Sequence, residues 1–304
     1  MGLQSFWGPL VAWYLFLAGT GAGAYIVGVI ADHFGGKYRA IAKTGIFLGA
    51  PLVGVGSLLL LLELGVPARF MLGFLNPQSS MMSIGIFIIT VFMVLGVIHI
   101  ILLFIKKESN KISLFLGKIT ILFALGTACY TGLLLGVAQA VPFWNSPVLP
   151  ALFLLSCLST GIGATFLIVG VWRWLRPAKV NEREEEMLKS SHFLSRIDIP
   201  IVILELLTLF FLLYIMASAQ GVASQSAQYL ISGDYALALW LGVIVVGLLA
   251  PLAVETFALT KGKGMSHARL SDLGVVAGIC LLFGGIVLRY AILSAGMVLN
   301  VTLF

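Results

Sequence analysis

Tyr130 is a phenol set in hydrocarbon. It opens the stretch Tyr130-Thr-Gly-Leu-Leu-Leu-Gly-Val-Ala-Gln-Ala-Val-Pro-Phe-Trp-Asn-Ser-Pro-Val-Leu-Pro150, which leaves one apolar segment, crosses an uncharged loop and enters the next. A buried phenol needs a hydrogen-bond partner, which is either a neighbouring helix or the carbonyl of a bound redox ligand. Tyr14 and Trp13 stand near the start of the first apolar segment, in the aromatic-belt position, with Tyr14 a turn or more inside the segment. Glu63 closes the second segment and faces Arg69 across Pro67, an arrangement that suits either a loop salt bridge or a site that moves protons. Glu205 and Arg289 lie within later apolar segments, where a charge is costly unless paired or functional. Lys118, Asp198 and Glu255 fall near span ends, where snorkelling explains them.

Composition dictates what must position these groups. The chain of 304 residues is 60% hydrophobic and 10% charged, against roughly 25% charged in soluble domains. Eight apolar runs are long enough to cross a bilayer, at about 9–31, 45–64, 82–105, 114–138, 148–172, 199–217, 236–259 and 273–299. The first has no basic residue ahead of it and is too long for a signal peptide core, so it reads as an uncleaved helix. The expectation is an all-α integral membrane protein of eight transmembrane helices. Two four-helix bundles are the tidier arrangement, with boundaries at 1–140 and 141–304. The one long polar connection, 173–198, would form a short solvated helix.

Charge sets the orientation. Lys37, Arg39 and Lys43, then Lys106, Lys107 and Lys111, then six basic residues within 173–198, then Lys261, Lys263 and Arg269 all fall on one side, against Arg69 on the other. The positive-inside rule places that side in the cytoplasm and both termini outside it. The basic pI therefore reflects topology and does not point to nucleic acid.

Cys129, Cys157 and Cys280 each lie alone in an apolar run, which fits packing and not an iron–sulfur cluster, a disulfide or another metal site. Of the four histidines only His99 is in a span, so the axial pair of a membrane haem is not available, and His99 reads as a packing residue. Gly19 and Gly23 form a GxxxG suited to close helix approach.

Several segments together carry a family resemblance: Tyr130-Thr-Gly-Leu, Pro142-Phe-Trp-Asn145, Pro147-Val-Leu-Pro150 with Leu152-Phe-Leu-Leu-Ser-Cys-Leu-Ser-Thr-Gly161, Tyr14-Leu-Phe-Leu-Ala-Gly19, Pro67-Ala-Arg-Phe70 with Asn76-Pro77, Arg196-Ile-Asp-Ile-Pro200 and Leu288-Arg-Tyr-Ala-Ile-Leu-Ser-Ala-Gly296. In this order they resemble the NrfD/PsrC family of polysulfide-reductase-type membrane subunits. The resemblance implies two four-helix bundles in a bacterial or archaeal cytoplasmic membrane and a menaquinone or ubiquinone site at the extracytoplasmic face. It also implies a ferredoxin-like iron–sulfur partner, and beyond it a molybdopterin catalytic subunit or a multihaem cytochrome. The family's helix-4 tyrosine falls at Tyr130. The first-helix histidine of polysulfide reductase falls at Tyr14, and a phenol is no proton acceptor near neutral pH, so Glu63 becomes the candidate acceptor. On this reading Tyr14, Trp13, Glu63, Arg69 and Tyr130 hold the quinol, no residue here performs the terminal catalysis, and Glu63, Glu205 and Arg289 serve a proton path. The rivals are a proton-translocating subunit with Lys118, Glu205, Glu255 and Arg289 as a relay, and a passive anchor.

Overall fold

A computed structural model describes residues 2–3, 7–34, 38–63, 81–106, 111–175, 181–261, 265 and 267–298. Its helices are α1 (Pro9–His33), α2 (Arg39–Glu63), α3 (Met81–Lys106), α4 (Lys111–Gly136), α5 (Val148–Leu175), α6 (Asn181–Ser218), α7 (Val222–Ile231), α8 (Ala238–Leu249), α9 (Ala250–Lys261) and α10 (His267–Ser294). Eight spans are long and apolar enough to cross a membrane, with α8 and α9 running on as the seventh. The eight expected segments are thus all present, and the protein is an all-α, multi-pass membrane protein.

α1 is apolar all round, as a helix enclosed by others must be. Within its most apolar stretch 89% of residues are buried, against 33% in α2, α3 and α4, so α1 is the axis on which the rest packs. It begins at Gly8 with Pro9 in the first helical position, where the missing N–H costs nothing. It touches α2, α4, α5 and α10, so both halves of the protein meet along it. The α1–α5 crossing is close because Gly23 lies against the Cys157 carbonyl and Gly161 against the backbone of Gly23 and Ala24, leaving no space for a methyl at either position. Outward-facing Phe104, Leu122, Leu207 and Tyr214 present hydrocarbon to lipid.

Two features depart from expectation. α6 runs unbroken for 38 residues through Pro200, so the connection expected as a separate helix is continuous with the sixth span. At 1.5 Å per residue its length is about 57 Å, well beyond a bilayer core of about 30 Å. Residues Ala238–Leu249 form a π-helix, a rare geometry, before the seventh span returns to α-helix at Ala250.

Two short segments, one near each end of the sequence, lie together. Gly2–Leu3 (β1) and Met297–Val298 (β2) pair antiparallel, Gly2 opposite Val298. Trp7 stacks on Trp144 at 5.3 Å, and Trp144 Nε1 donates to the Ile292 carbonyl at 2.9 Å. The loop after Tyr130 thereby joins the entry of α1 to the end of α10. This face is the terminal side of the protein.

Candidate functional site

Tyr14 and Tyr130 occupy the same level. Tyr14 is five residues inside α1 and Tyr130 six residues before the end of α4, about 7.5 and 9 Å from the terminal-side helix ends. Both are buried, and the two phenols are close enough to interact electrostatically. The Tyr14 hydroxyl has no hydrogen-bond partner among the described residues. The Tyr130 ring lies over Gly85 of α3, where a side chain would overlap it. Spacing pointed to both tyrosines, but not to the third hydroxyl at this depth. Ser57 lies six residues before the end of α2, beside Gly56, which abuts the Tyr14 backbone. Its Oγ is also buried and unpartnered among the described residues.

The other proposed site residues are placed differently. Trp13 is 45% exposed, with its edge on Phe16, and faces away from Tyr14's buried side. Glu63 is half-buried and accepts the backbone N–H of Gly8 on Oε1 at 2.8 Å, capping the start of α1. An anion there meets the positive end of the helix dipole. Arg69 and the segments Pro67–Phe70 and Asn76-Pro77 lie outside the described residues.

Arg289 is fully buried where α1, α5 and α10 meet. It donates from Nε to the Leu15 carbonyl at 3.4 Å, from Nη1 to Ser156 Oγ at 2.9 Å and to the Gly285 carbonyl at 2.8 Å, and from Nη2 to Cys157 Sγ at 3.4 Å. Phe16 and Phe153 cover the guanidinium at 5.8 and 5.4 Å. Glu205 neighbours the same Ser156 and feels the Arg289 charge, so the serine stands between acid and base.

Asp198 and Glu255 do not snorkel. Asp198 is 0% exposed and Glu255 2%. Asp198 and Glu205 are seven residues apart, two turns on one face of α6, and α9 brings Glu255 against Asp198. Their carboxyls face each other within hydrogen-bonding reach, with the Ser159 hydroxyl nearby. None of the four oxygens receives a hydrogen bond of normal geometry among the described residues. Sequence alone placed them at span ends because the extension of α6 was not visible. Lys118, by contrast, is exposed on α4.

His99 is a structural residue in the sense expected of it. Its Nδ1 pairs with the Tyr25 hydroxyl at 2.6 Å and its Nε2 with Ser113 Oγ at 2.9 Å. Among the described residues no three His, Cys, Asp or Glu side chains are grouped to hold a metal ion.

A central helix packed against four other spans, with a tyrosine pair near one face and a buried charge series behind it, defines a multi-pass helical membrane protein with polar groups set in its interior. The sequence pattern described as "Polysulphide reductase, NrfD" matches residues 1–301, and the protein belongs to that family. It is 31% identical to the "Protein NrfD homolog" of Haemophilus influenzae, over 95% of its own length and 94% of that relative's. It is 29% identical to the C subunit of polysulfide reductase from Wolinella succinogenes, with the same coverage. It is 23% identical to the Hdr-like menaquinol oxidoreductase integral membrane subunit of Archaeoglobus fulgidus, over 52% of its own length and 40% of that relative's.

Proposed function

We propose that this membrane subunit of a respiratory oxidoreductase binds menaquinol or ubiquinol at Tyr14 and Tyr130, on a terminal side that faces away from the cytoplasm. The observation that carries this reading is the buried Tyr14 hydroxyl, which has no partner among the described residues and stands at the level of Tyr130. An orphaned buried hydroxyl is costly unless something meets it, and a quinol oxygen is a matching acceptor and donor. Ser57 offers a further hydroxyl at the same depth. When bound, quinol supplies two electrons and two protons. Tyr14 and Tyr130 orient the head, and the burial of both phenols keeps bulk water from it. Glu63, at the α1 start and nearer the surface, takes protons toward the terminal side, with Arg69 adjusting its charge balance.

The partner that accepts electrons is a ferredoxin-like iron–sulfur subunit, backed by a molybdopterin subunit or a multihaem cytochrome. The relatives named for polysulfide reductase and menaquinol oxidoreductase support a multi-subunit setting. Tyr130→Phe in the assembled complex tests the reading. Quinol-linked turnover should fall at least tenfold, the loss of roughly one charge-free hydrogen bond at about 1.4 kcal/mol, while partner subunits still co-purify. Unchanged turnover in an intact complex leaves a passive anchor. A second reading, proton movement through the membrane, is favoured by the series Arg289, Ser156, Glu205, Asp198 and Glu255, and is compatible with the first.

A further inference from the structure

The acid pair Asp198–Glu255 lies on the far side of the membrane from the tyrosines, and the quinol reading makes no use of it. Two buried carboxyls in contact, with no cation beside them among the described residues, cannot both be ionised, because like charges at that distance in a low-dielectric interior repel too strongly. Such a pair holds a proton. A narrow cleft, with room for about one water molecule, reaches Glu255 and is lined also by His192, Ser195, Phe166, Leu270 and Gly274. The cleft therefore puts an imidazole, the side chain best suited to exchange protons near neutral pH, at the same opening as one of the two acids. Arg196, exposed on α6, is the other charge felt by His192. α10 contributes only apolar and glycine surface to the cleft.

In the other direction the pair is linked to the rest of the charge series. Asp198 senses Glu205 and is neighboured by Ser159; Glu205 is neighboured by Ser156; Ser156 accepts from Arg289. Arg289 ends the series at the carbonyl of Leu15, the residue after Tyr14. Antiparallel α5 and α6 make this ladder: moving away from the terminal side, Ser156 then Ser159 on one helix meets Glu205 then Asp198 on the other.

We propose that Asp198 and Glu255 form a proton-binding site that exchanges with the aqueous phase through the cleft at His192 and with Glu205 on its inner side. In each exchange one O–H bond forms as another breaks. A proton taken up from water at the cleft is matched by one passed from the pair to the Glu205 carboxylate, and the pair returns to its original charge. No electron transfer is involved. The site stands independently of the quinol reading and is tested without quinol.

Infrared spectroscopy of the full complex in lipid, at neutral pH and without added quinol, should show the C=O stretch of a buried protonated carboxyl. That band should shift in D₂O and vanish in Glu255→Gln and in the paired variant Asp198→Asn/Glu255→Gln. His192→Leu should slow the deuterium shift by roughly a hundredfold, the usual worth of a positioned proton donor. Wild-type complex treated with a hydrophobic carbodiimide should carry the label on Asp198 or Glu255, a measurement that needs no variant. Absence of both the band and the label overturns the proposal, as does a band that persists in the paired variant. A band that appears only when sodium is removed also overturns it, since the pair would then be a cation site. Loss of quinol turnover in Tyr130→Phe has no bearing on these readouts, so the two readings fail separately.

Discussion

Arg289 donates from Nη1 to Ser156 Oγ at 2.9 Å, across 133 residues of sequence, and this bond locks the last helix to the fifth. The same guanidinium reaches the Leu15 carbonyl on α1, so one side chain ties together three helices at the level of the tyrosine pair. Arg289→Ala should destabilise the protein by about 3–5 kcal/mol, because it leaves Glu205 without its countercharge. Arg289→Lys keeps the charge but has no planar fork to reach Ser156, Gly285 and Leu15 together, and should recover less than half of that loss. Thermal unfolding of the purified complex in detergent, followed by retention of its subunits, checks both.

Two buried tyrosines on α1 should respond oppositely to loss of the hydroxyl. Tyr25→Phe leaves His99 Nδ1 unpartnered in a dry site and should cost about 1–3 kcal/mol. Tyr14→Phe removes a hydroxyl that bonds to none of the described residues and should be neutral or stabilising in thermal unfolding, yet should lower quinol-linked turnover. If Tyr14→Phe destabilises and leaves turnover unchanged, its hydroxyl is structural.

Glu63 caps α1 through Gly8, and the cap can be separated from the charge. Glu63→Gln keeps an acceptor for the Gly8 N–H and should hold stability within about 0.5 kcal/mol, while slowing proton release and turnover. Glu63→Ala loses the cap as well and should cost about 1 kcal/mol more. Equal turnover in wild type and Glu63→Gln would confine Glu63 to capping.

Gly85 sets the position of Tyr130. A methyl at Gly85 overlaps the phenol ring, so Gly85→Ala should cost about 1–3 kcal/mol and displace the hydroxyl, with turnover falling further than stability explains. Gly136→Ala on α4, whose nearest neighbour would be the Trp144 carbonyl at 3.8 Å, is the tolerated control.

On the terminal side, outside the spans, the Tyr229 hydroxyl donates to the Asp234 carboxylate, which raises the phenol above its usual value of 10.0. A raised phenol favours its neutral form in the folded state. The bond's contribution is therefore fully present below the unfolded value and is lost as pH rises through the folded one. Asp234→Asn should bring Tyr229 ionisation back toward 10.0 in an absorbance titration referenced to Tyr229→Phe.

The eight spans, the family and the shared depth of Tyr14 and Tyr130 were legible in the sequence itself, because hydropathy over some twenty residues and a local order of motifs do not depend on tertiary contacts. So was the use of Gly19 and Gly23 as a close-packing stripe, which the α1–α5 crossing bears out. Pairings between distant helices were not legible. Asp198 and Glu255 looked like span-end charges, since nothing local reveals that α6 continues unbroken or that α9 turns Glu255 inward. Glu205 and Arg289 were recognised as a possible pair, but the serine between them comes from α5, and no spacing along one helix can supply a group from another. A bilayer rewards apolar surface wherever it lies along the sequence, so sequence dictates which segments cross. Which polar groups meet inside is decided by helix packing, because only a partner from another helix can offset the cost of taking them out of water.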